Sequence, residues 1–138
     1  MPAFRCTACG ATVTKAVKAL GEPPERAPAP DYGPHLPSVP RGRFFVDPEP
    51  YHVNPPGAPA AGGFVATSGM IVLNPGDVVR VRGHPEGRGA GCCGSDGQQG
   101  LNLVCARCGA ELAVASDDCW TPNEVRLHPA AVARDDTP

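Results

Sequence analysis

The pattern Cys-x-x-Cys-Gly-Ala occurs twice in this chain, as CTACGATV at residues 6–13 and as CARCGAEL at residues 105–112. Each copy offers two thiols from one tight turn, and the glycine after the second cysteine supplies the positive φ that such a turn needs. Strand-like residues flank both copies: AFR and ATV flank the first, and LNLV and AELAV flank the second. We therefore expect two similar strand–turn–strand units, near opposite ends of the sequence, to organise the fold.

The composition leaves little material for a hydrophobic core. The 138 residues include 17 glycines and 18 prolines, but only four Phe, two Tyr and one Trp. Folding such a chain costs conformational entropy. The burial of so few large apolar side chains does not offset that cost by itself. We expect a single small domain over residues 1–138, stabilised by something in addition to burial.

Charge and hydropathy exclude several classes of protein. The net charge is −2, and Arg80, Arg82 and Arg88 are interpreted as a solvated strand face, so we do not expect a nucleic-acid partner. No apolar run reaches the roughly 18 residues that span a bilayer, and the start, MPAFRCTACG, lacks the apolar stretch of a signal peptide. We expect a cytoplasmic protein, in which the seven cysteines stay reduced, and metal ligation explains the two Cys-x-x-Cys pairs better than disulfides do.

Cys6, Cys9, Cys105 and Cys108 are the candidate ligands of one Zn²⁺, because tetrahedral zinc takes four thiolates. The 95 residues between Cys9 and Cys105 do not forbid a shared ion. Compared with a spacer of about 15–20 residues, the added closure entropy is about 1.5 kcal/mol, against on the order of 10–16 kcal/mol for structural zinc. The alternatives are redox dithiols, which normally begin a helix in a βαβ unit, and plain buried thiols.

Residues 3–14 and 101–115 resemble the zinc ribbon, a family of small β-domains in which two Cys-x-x-Cys-Gly knuckles share one metal. The resemblance implies a metal-linked pair of knuckles, although the spacer here is far longer than in most ribbons. Residues 91–131 also resemble the ends of uncharacterised proteins from high-GC bacteria, which imply no function.

A second cluster of candidate metal ligands is Cys92, Cys93 and Cys119, with His84 or His128 supplying a nitrogen. The most specific hypothesis for this cluster is a second Zn²⁺ bound by three sulfurs and one nitrogen. The alternatives are a pair of thiols that oxidises, and buried thiols with a structural role only.

The fold class expected is mostly β and irregular with little helix: a zinc-ribbon-like pair of knuckles with a long proline-rich and β-hairpin insertion. The first knuckle occupies residues 1–20, where ATVTKAVKAL is read as a strand or a short helix. Residues 21–62 contain 12 of the 18 prolines and should be irregular, interrupted by one short strand at residues 43–46.

The hairpin is expected within residues 63–83, with 70–73 paired to 78–82 across a type II turn at 74–77, NPGD. Residues 84–128 hold the glycine- and cysteine-rich loop and the second knuckle, which is strand, turn and strand over 101–115. Thr121 and Glu124 match a capping box, which predicts a short helical turn. Residues 129–138 form a tail, of which ARDDTP is expected to fray.

Three functions remain open from the sequence. The first is a zinc-binding structural or adaptor protein that binds a protein partner. The second is a thiol and zinc redox sensor that uses Cys92, Cys93 and Cys119. The third is a zinc enzyme, which needs a metal with an open coordination position.

Overall fold

A computed structural model describes residues 2–24, 36–59, 63–89, 91–92, 94–118 and 121–135. Within these ranges the regular structure is β, and the helical element is one 3-10 turn at Pro75–Asp77. The strands are β1 Ala3–Cys6, β2 Lys18–Ala19, β3 Arg43–Asp47, β4 Tyr51–Val53, β5 Val65–Thr67, β6 Met70–Leu73, β7 Val81–Gly83, β8 Leu103–Cys105, β9 Glu111–Ser116, β10 Glu124–Leu127 and β11 Val132–Asp135. The mostly-β class with little helix is confirmed.

Seven of these strands form one sheet in the order β2-β3-β6-β10-β9-β8-β7. All its neighbours are antiparallel except β2 and β3, which are parallel. Two smaller pairs, β1 with β11 and β4 with β5, are antiparallel. None of the described residues forms a helix with the length and apolarity needed to cross a membrane.

The core is built mainly from small and branched apolar side chains. Its larger cluster includes Cys6 and Cys105 beside valines and leucines, and a smaller cluster contains Met70 and Leu101. Phe4 and Phe44 meet edge to face with ring centroids 5.2 Å apart, a geometry that adds about 0.5–1.5 kcal/mol to the burial of the rings. The aromatic content is therefore low, but part of it lies where the first knuckle meets the main sheet.

Local sequence patterns located several elements correctly. The short strand expected at residues 43–46 is β3, Arg43–Asp47. The strand, turn and strand expected over residues 101–115 are β8 and β9 with the turn between them. The ATVTKAVKAL stretch is extended, with isolated bridges at Thr12 and Thr14 and then β2, so its helical alternative is wrong.

The hairpin expected within residues 63–83 is wrong in its pairing. All four residues of β6 are buried, which is typical of a strand inside a sheet that is covered on both faces rather than of one strand of an exposed hairpin. β6 therefore lies between β3 and β10, whereas β7 pairs with β8. The 3-10 turn replaces the type II turn because the Asn74 side chain accepts the Gly76 N–H, while the Asp77 carboxylate accepts the backbone N–H of Gly42.

The helical turn predicted from Thr121 and Glu124 is also wrong. Glu124 begins β10 and is 2% exposed. Its carboxylate accepts hydrogen bonds from Arg126 and Ser38 instead of capping Thr121. The Thr121 hydroxyl accepts the Asp118 N–H. Pairing of Glu124 with Arg126 within β10 and its bond from Ser38 outweigh the local capping signal here.

The tail at residues 129–138 does not fray over its described part. β11 pairs in register with β1, from Ala3 opposite Asp135 to Cys6 opposite Val132. Val132 is 6% exposed, so its burial fixes the strand against the first knuckle. The last three residues, 136–138, lie outside the described residues.

Candidate metal centre

The first Cys-x-x-Cys turn follows β1 directly. The Cys6 N–H donates to the Ala11 carbonyl, and the Gly10 N–H donates to the Cys6 carbonyl, both at 2.8 Å. Gly10 has φ +80°, a conformation that is strained for residues with a Cβ. These bonds reverse the chain within five residues and bring the Cys6 and Cys9 sulfurs to the same side of the turn.

The second turn repeats this geometry. The Cys105 N–H donates to the Ala110 carbonyl, and the Gly109 N–H donates to the Cys105 carbonyl, again at 2.8 Å. Gly109 has φ +78°. The shared Cys-x-x-Cys-Gly-Ala pattern therefore folds into the same turn twice, as the sequence predicts.

Residues 78–82 join the two turns, a role that the sequence did not reveal. On one side, the Val79 N–H donates to the Val13 carbonyl at 2.8 Å, next to the first turn. On the other side, the Ala106 N–H donates to the Arg80 carbonyl at 2.8 Å, and Val81 pairs with Cys105. The Arg80 guanidinium also donates to the Thr12 carbonyl at 3.2 Å. One short segment thus holds the knuckles side by side.

The four sulfurs of Cys6, Cys9, Cys105 and Cys108 all lie within 4.8 Å of one another. The Cys6–Cys108 and Cys9–Cys105 sulfur pairs, each with one partner from each turn, are 3.7 Å apart. Four sulfurs at about 2.3 Å from a central zinc would lie about 3.8 Å apart. The cluster therefore has the dimensions of a tetrahedral four-sulfur site.

Exposure differs among the four cysteines. Cys6 and Cys105 are fully buried, Cys9 is half-buried and Cys108 is exposed. Since Cys6 and Cys105 belong to the main apolar cluster, the site is continuous with the core on one side. Its other side is open to solvent, which gives an ion a path to the sulfurs.

Backbone donors prepare one thiol for ionisation. Burial acts to raise the pKa of Cys105, but N–H groups of Cys108 and Arg107 donate to its sulfur and lower that pKa to about 7. At Cys9 the Ala11 N–H acts to lower the pKa, yet burial and the neighbouring thiols outweigh it, so the pKa of Cys9 is raised. The pKa of Cys108 is raised in the same way. Cys105 is thus the first of these three thiols to become a thiolate.

The second cluster predicted from the sequence is only partly within the described residues. Cys93 and Cys119 lie outside them, so a second zinc site stays a prediction. The Cys92 sulfur lies 3.5 Å from Asp118 Oδ1. Among the described residues, the four-cysteine group is the one set of Cys, His, Asp and Glu side chains arranged to hold a metal.

Both histidines proposed as ligands have hydrogen-bond partners elsewhere. His84 Nδ1 accepts the Glu86 N–H, so Nε2 carries the proton and donates to Glu111 Oε2 at 2.7 Å. His128 Nδ1 accepts the Ala130 N–H at 3.1 Å. Burial lowers the pKa of His128, which favours the neutral ring.

Sequence reasoning missed a buried polar network around Glu111. This carboxylate accepts from His84, from Arg88 at 2.7 Å and from the Gly57 N–H at 2.7 Å. Arg88 is 9% exposed, so its interpretation as part of a solvated strand face is wrong, although Arg80 and Arg82 are exposed. The network joins residues 57, 84 and 88 to β9, close behind the second knuckle.

A second network that the sequence did not reveal has Arg126 at its centre. Its guanidinium pairs with Asp47 at 2.8 Å and with Glu124, and it lies 4.8 Å from the centre of the Tyr51 ring. Charged residues two apart in a strand share one face, and this signal was present in the sequence EVRL of β10.

Comparison with known protein families, with curated proteins and with solved structures gave no match. The fold and the site therefore define the class: a mostly-β protein whose terminal regions meet at four clustered cysteines. The cluster is positioned to hold one metal ion and is compatible with a zinc-ribbon-like site.

Proposed function

We propose that Cys6, Cys9, Cys105 and Cys108 bind one structural Zn²⁺, and that the chain is a zinc-stabilised binding module for a protein partner. The observation that carries the metal proposal is the convergence of all four sulfurs within 4.8 Å. Cys6 and Cys108 are 102 positions apart in sequence, so only the folded chain brings them together.

The donor set favours zinc in a structural role. Four thiolates at tetrahedral spacing are the usual ligands of structural zinc, whereas catalytic zinc keeps one position for water or substrate. Four protein sulfurs fill the coordination sphere. This supports a structural ion over an enzymatic one at this site.

The expectation of a protein partner is supported by exposed apolar side chains near β5. Val65 is 51% exposed and Phe64 is 38% exposed, and Val46 on β3 is 49% exposed. Phe64 and Val65 are adjacent in sequence, and an apolar patch built around both would favour contact with another protein. The net charge of −2 does not favour a nucleic-acid partner.

Zinc stoichiometry by native mass spectrometry tests the metal proposal. The wild type should retain zinc, and Cys6→Ser and Cys105→Ser should each lose one equivalent. Cys92→Ser is the matched control, because its sulfur lies outside the four-cysteine group, and it should retain the ion bound by that group. A folded wild type with reduced thiols and no tightly bound zinc would contradict the proposal.

The partner proposal is tested by cross-linking the purified chain to proteins of a cell extract. A partner that is captured by the wild type and lost with Phe64→Ser and Val65→Ser supports the module. The control is Leu36→Ser, which changes another exposed apolar side chain, 87% exposed. Capture that is identical for all variants would count against a role for the surface near β5.

A further inference from the structure

A cleft of about 670 Å³ opens beside the ends of β3, β9 and β10. Its volume falls within the range of roughly 300–1,000 Å³ that is typical of small-ligand pockets. None of the four clustered cysteines lines it. The cleft is therefore a feature separate from the metal centre, and the proposed zinc does not account for it.

Rigid apolar groups form much of the lining of this cleft. They are five prolines and two aromatic rings: Pro23, Pro24, Pro48, Pro50, Pro122, Phe45 and Tyr51. The ring of proline fixes its own backbone φ and has no rotamers to lose on binding. These side chains therefore hold the same positions before and after a ligand binds, and they suit contact with a flat apolar group.

The Arg126 network also lines the cleft. Arg126 is 5% exposed, and its guanidinium is occupied by Asp47 and Glu124. The second Glu124 oxygen accepts from Ser38 at 2.6 Å. Two carboxylates around one guanidinium leave a net charge of about −1. Arg126 is the one cationic side chain among the described residues of the lining, and it already has two carboxylate partners, so the described lining does not favour an anionic ligand.

Two further carboxylates extend the negative charge towards the opening. Glu49 is exposed and Asp96 is half-buried, and both line the cleft. Among the described residues, the lining thus has four carboxylates and one guanidinium, whereas the whole chain has a net charge of only −2. A concave surface with one sign of charge and low-dielectric walls concentrates ions of the opposite sign.

We propose that this cleft binds a ligand in which an amine or guanidinium cation is attached to an apolar body. The cation lies near Glu49 and Asp96, and the body packs on the proline rings and Tyr51. The same chemistry is offered by a free aromatic amine and by an arginine side chain within an extended proline-rich peptide. The binding proposal does not depend on the metal proposal, because the two sites share no lining residue.

Titration of the purified full chain, followed by NMR of its backbone amides, tests the site. The first pair of probes is 2-phenylethylamine and the neutral 2-phenylethanol. The second pair is a short proline-rich peptide with one arginine and the same peptide with glutamine in its place. Shifts confined to residues of the cleft, with binding by the cationic member of either pair and weaker binding by its neutral partner, support the proposal. The pair whose cationic member binds shows whether the ligand is a free aromatic amine or an arginine side chain within a peptide.

The variants Glu49→Gln and Asp96→Asn preserve side-chain size and remove one negative charge each. Each should weaken binding of the cation by about two- to fivefold, as expected for an exposed ion pair. Glu86→Gln is the matched control, since Glu86 is exposed and pairs with Arg88 outside the cleft. Absence of binding by both cationic probes at millimolar concentration would overturn the proposal. Equal binding of the charged and neutral probes would also overturn it.

Discussion

Arg80 has a backbone φ of +55°, the one positive φ at a non-glycine residue in the described chain. This conformation costs an ordinary residue about 1 kcal/mol or more. It is held by the bonds that Arg80 makes on both sides, from its carbonyl to Ala106 and from its guanidinium to Thr12. The strained residue therefore sits where the chain passes from one knuckle to the other.

This strain predicts different effects for two truncations of Arg80. Arg80→Ala loses the bond to Thr12 and keeps the strain, whereas Arg80→Gly loses the same bond and relieves the strain. We expect the glycine variant to be more stable than the alanine variant by about 1 kcal/mol in urea unfolding.

The matched control for this prediction is the same pair of substitutions at Arg82, which lies within β7. There the order should reverse, because glycine in a strand raises the entropy that folding must overcome. Equal stability of Arg80→Gly and Arg80→Ala would contradict the prediction, because the strain at residue 80 would then be no larger than the entropy that glycine adds to the unfolded chain.

Because the His128 ring is buried, we expect the free energy of unfolding to depend on pH. Burial lowers the pKa of this ring below its usual value of 6.5, so the unfolded chain takes up a proton before the folded chain does. Stability is therefore complete above about pH 6.5 and falls as the pH drops through the lower, folded pKa. His128→Asn, whose side-chain oxygen can still accept the Ala130 N–H, should show a smaller loss of stability between pH 6.5 and more acid values.

The measurement is the free energy of unfolding in urea at a series of pH values. His52→Asn is the control, since His52 is exposed on β4, and its pH dependence should match the wild type. An unchanged pH dependence in His128→Asn would mean that other groups cause the acid loss of stability.

At the scale of elements, the sequence predicted the structure correctly where the residues that form an element and the residues that bond to it are close together in the chain. The two cysteine turns are determined by a glycine and by bonds within six residues, so they could be predicted in detail. Met70–Leu73 shows the opposite case. Its apolar run signals a strand, but its partners β3 and β10 are distant in sequence, and the nearby Asn-Pro-Gly-Asp turn favoured the wrong neighbour.

The pairing of β11 with β1 leads to a prediction about the end of the chain. Among the described strands, β1 has β11 as its one ladder partner. Removal of residues 132–138 exposes that edge and deletes the buried Val132, whose side chain alone contributes about 1.5 kcal/mol. We expect a lower melting temperature and faster release of zinc to a chelator.

Removal of residues 136–138 alone is the control for this truncation, because β11 ends at Asp135. That variant should melt and release zinc as the wild type does. If the longer truncation melted and released zinc as the wild type does, β1 would hold the first knuckle in place without β11.

At the scale of the whole molecule, the sequence indicated that four cysteines would meet but not what brings them together. Cysteine spacing predicts a ligand set because zinc chemistry demands it. The charge networks around Arg126 and Glu111 have little local signature beyond pairs two residues apart, such as Glu124 and Arg126. Each joins residues from distant segments, such as Asp47 and Arg126, and such partners become visible only when the sheet order is known.

The last prediction concerns the release of protons that the proposed binding of zinc requires. Ligand thiols must lose their protons to bind metal. The pKa values of Cys9 and Cys108 are raised above 9, so at pH 7 both are protonated in the metal-free protein. The pKa of Cys105 is about 7, so this thiol adds a further proton only below that pH.

Zinc affinity should therefore rise by at least about 100-fold per pH unit from pH 7 to about pH 9, and by a further factor of about ten per unit below pH 7. Competition with a chromophoric chelator across this pH range measures the slope, after correction for the chelator's own protonation. Cys92→Ser should keep the wild-type slope. An affinity independent of pH would contradict binding through these thiols, because no thiolate ligand set with such pKa values can take up zinc at pH 7 without releasing protons.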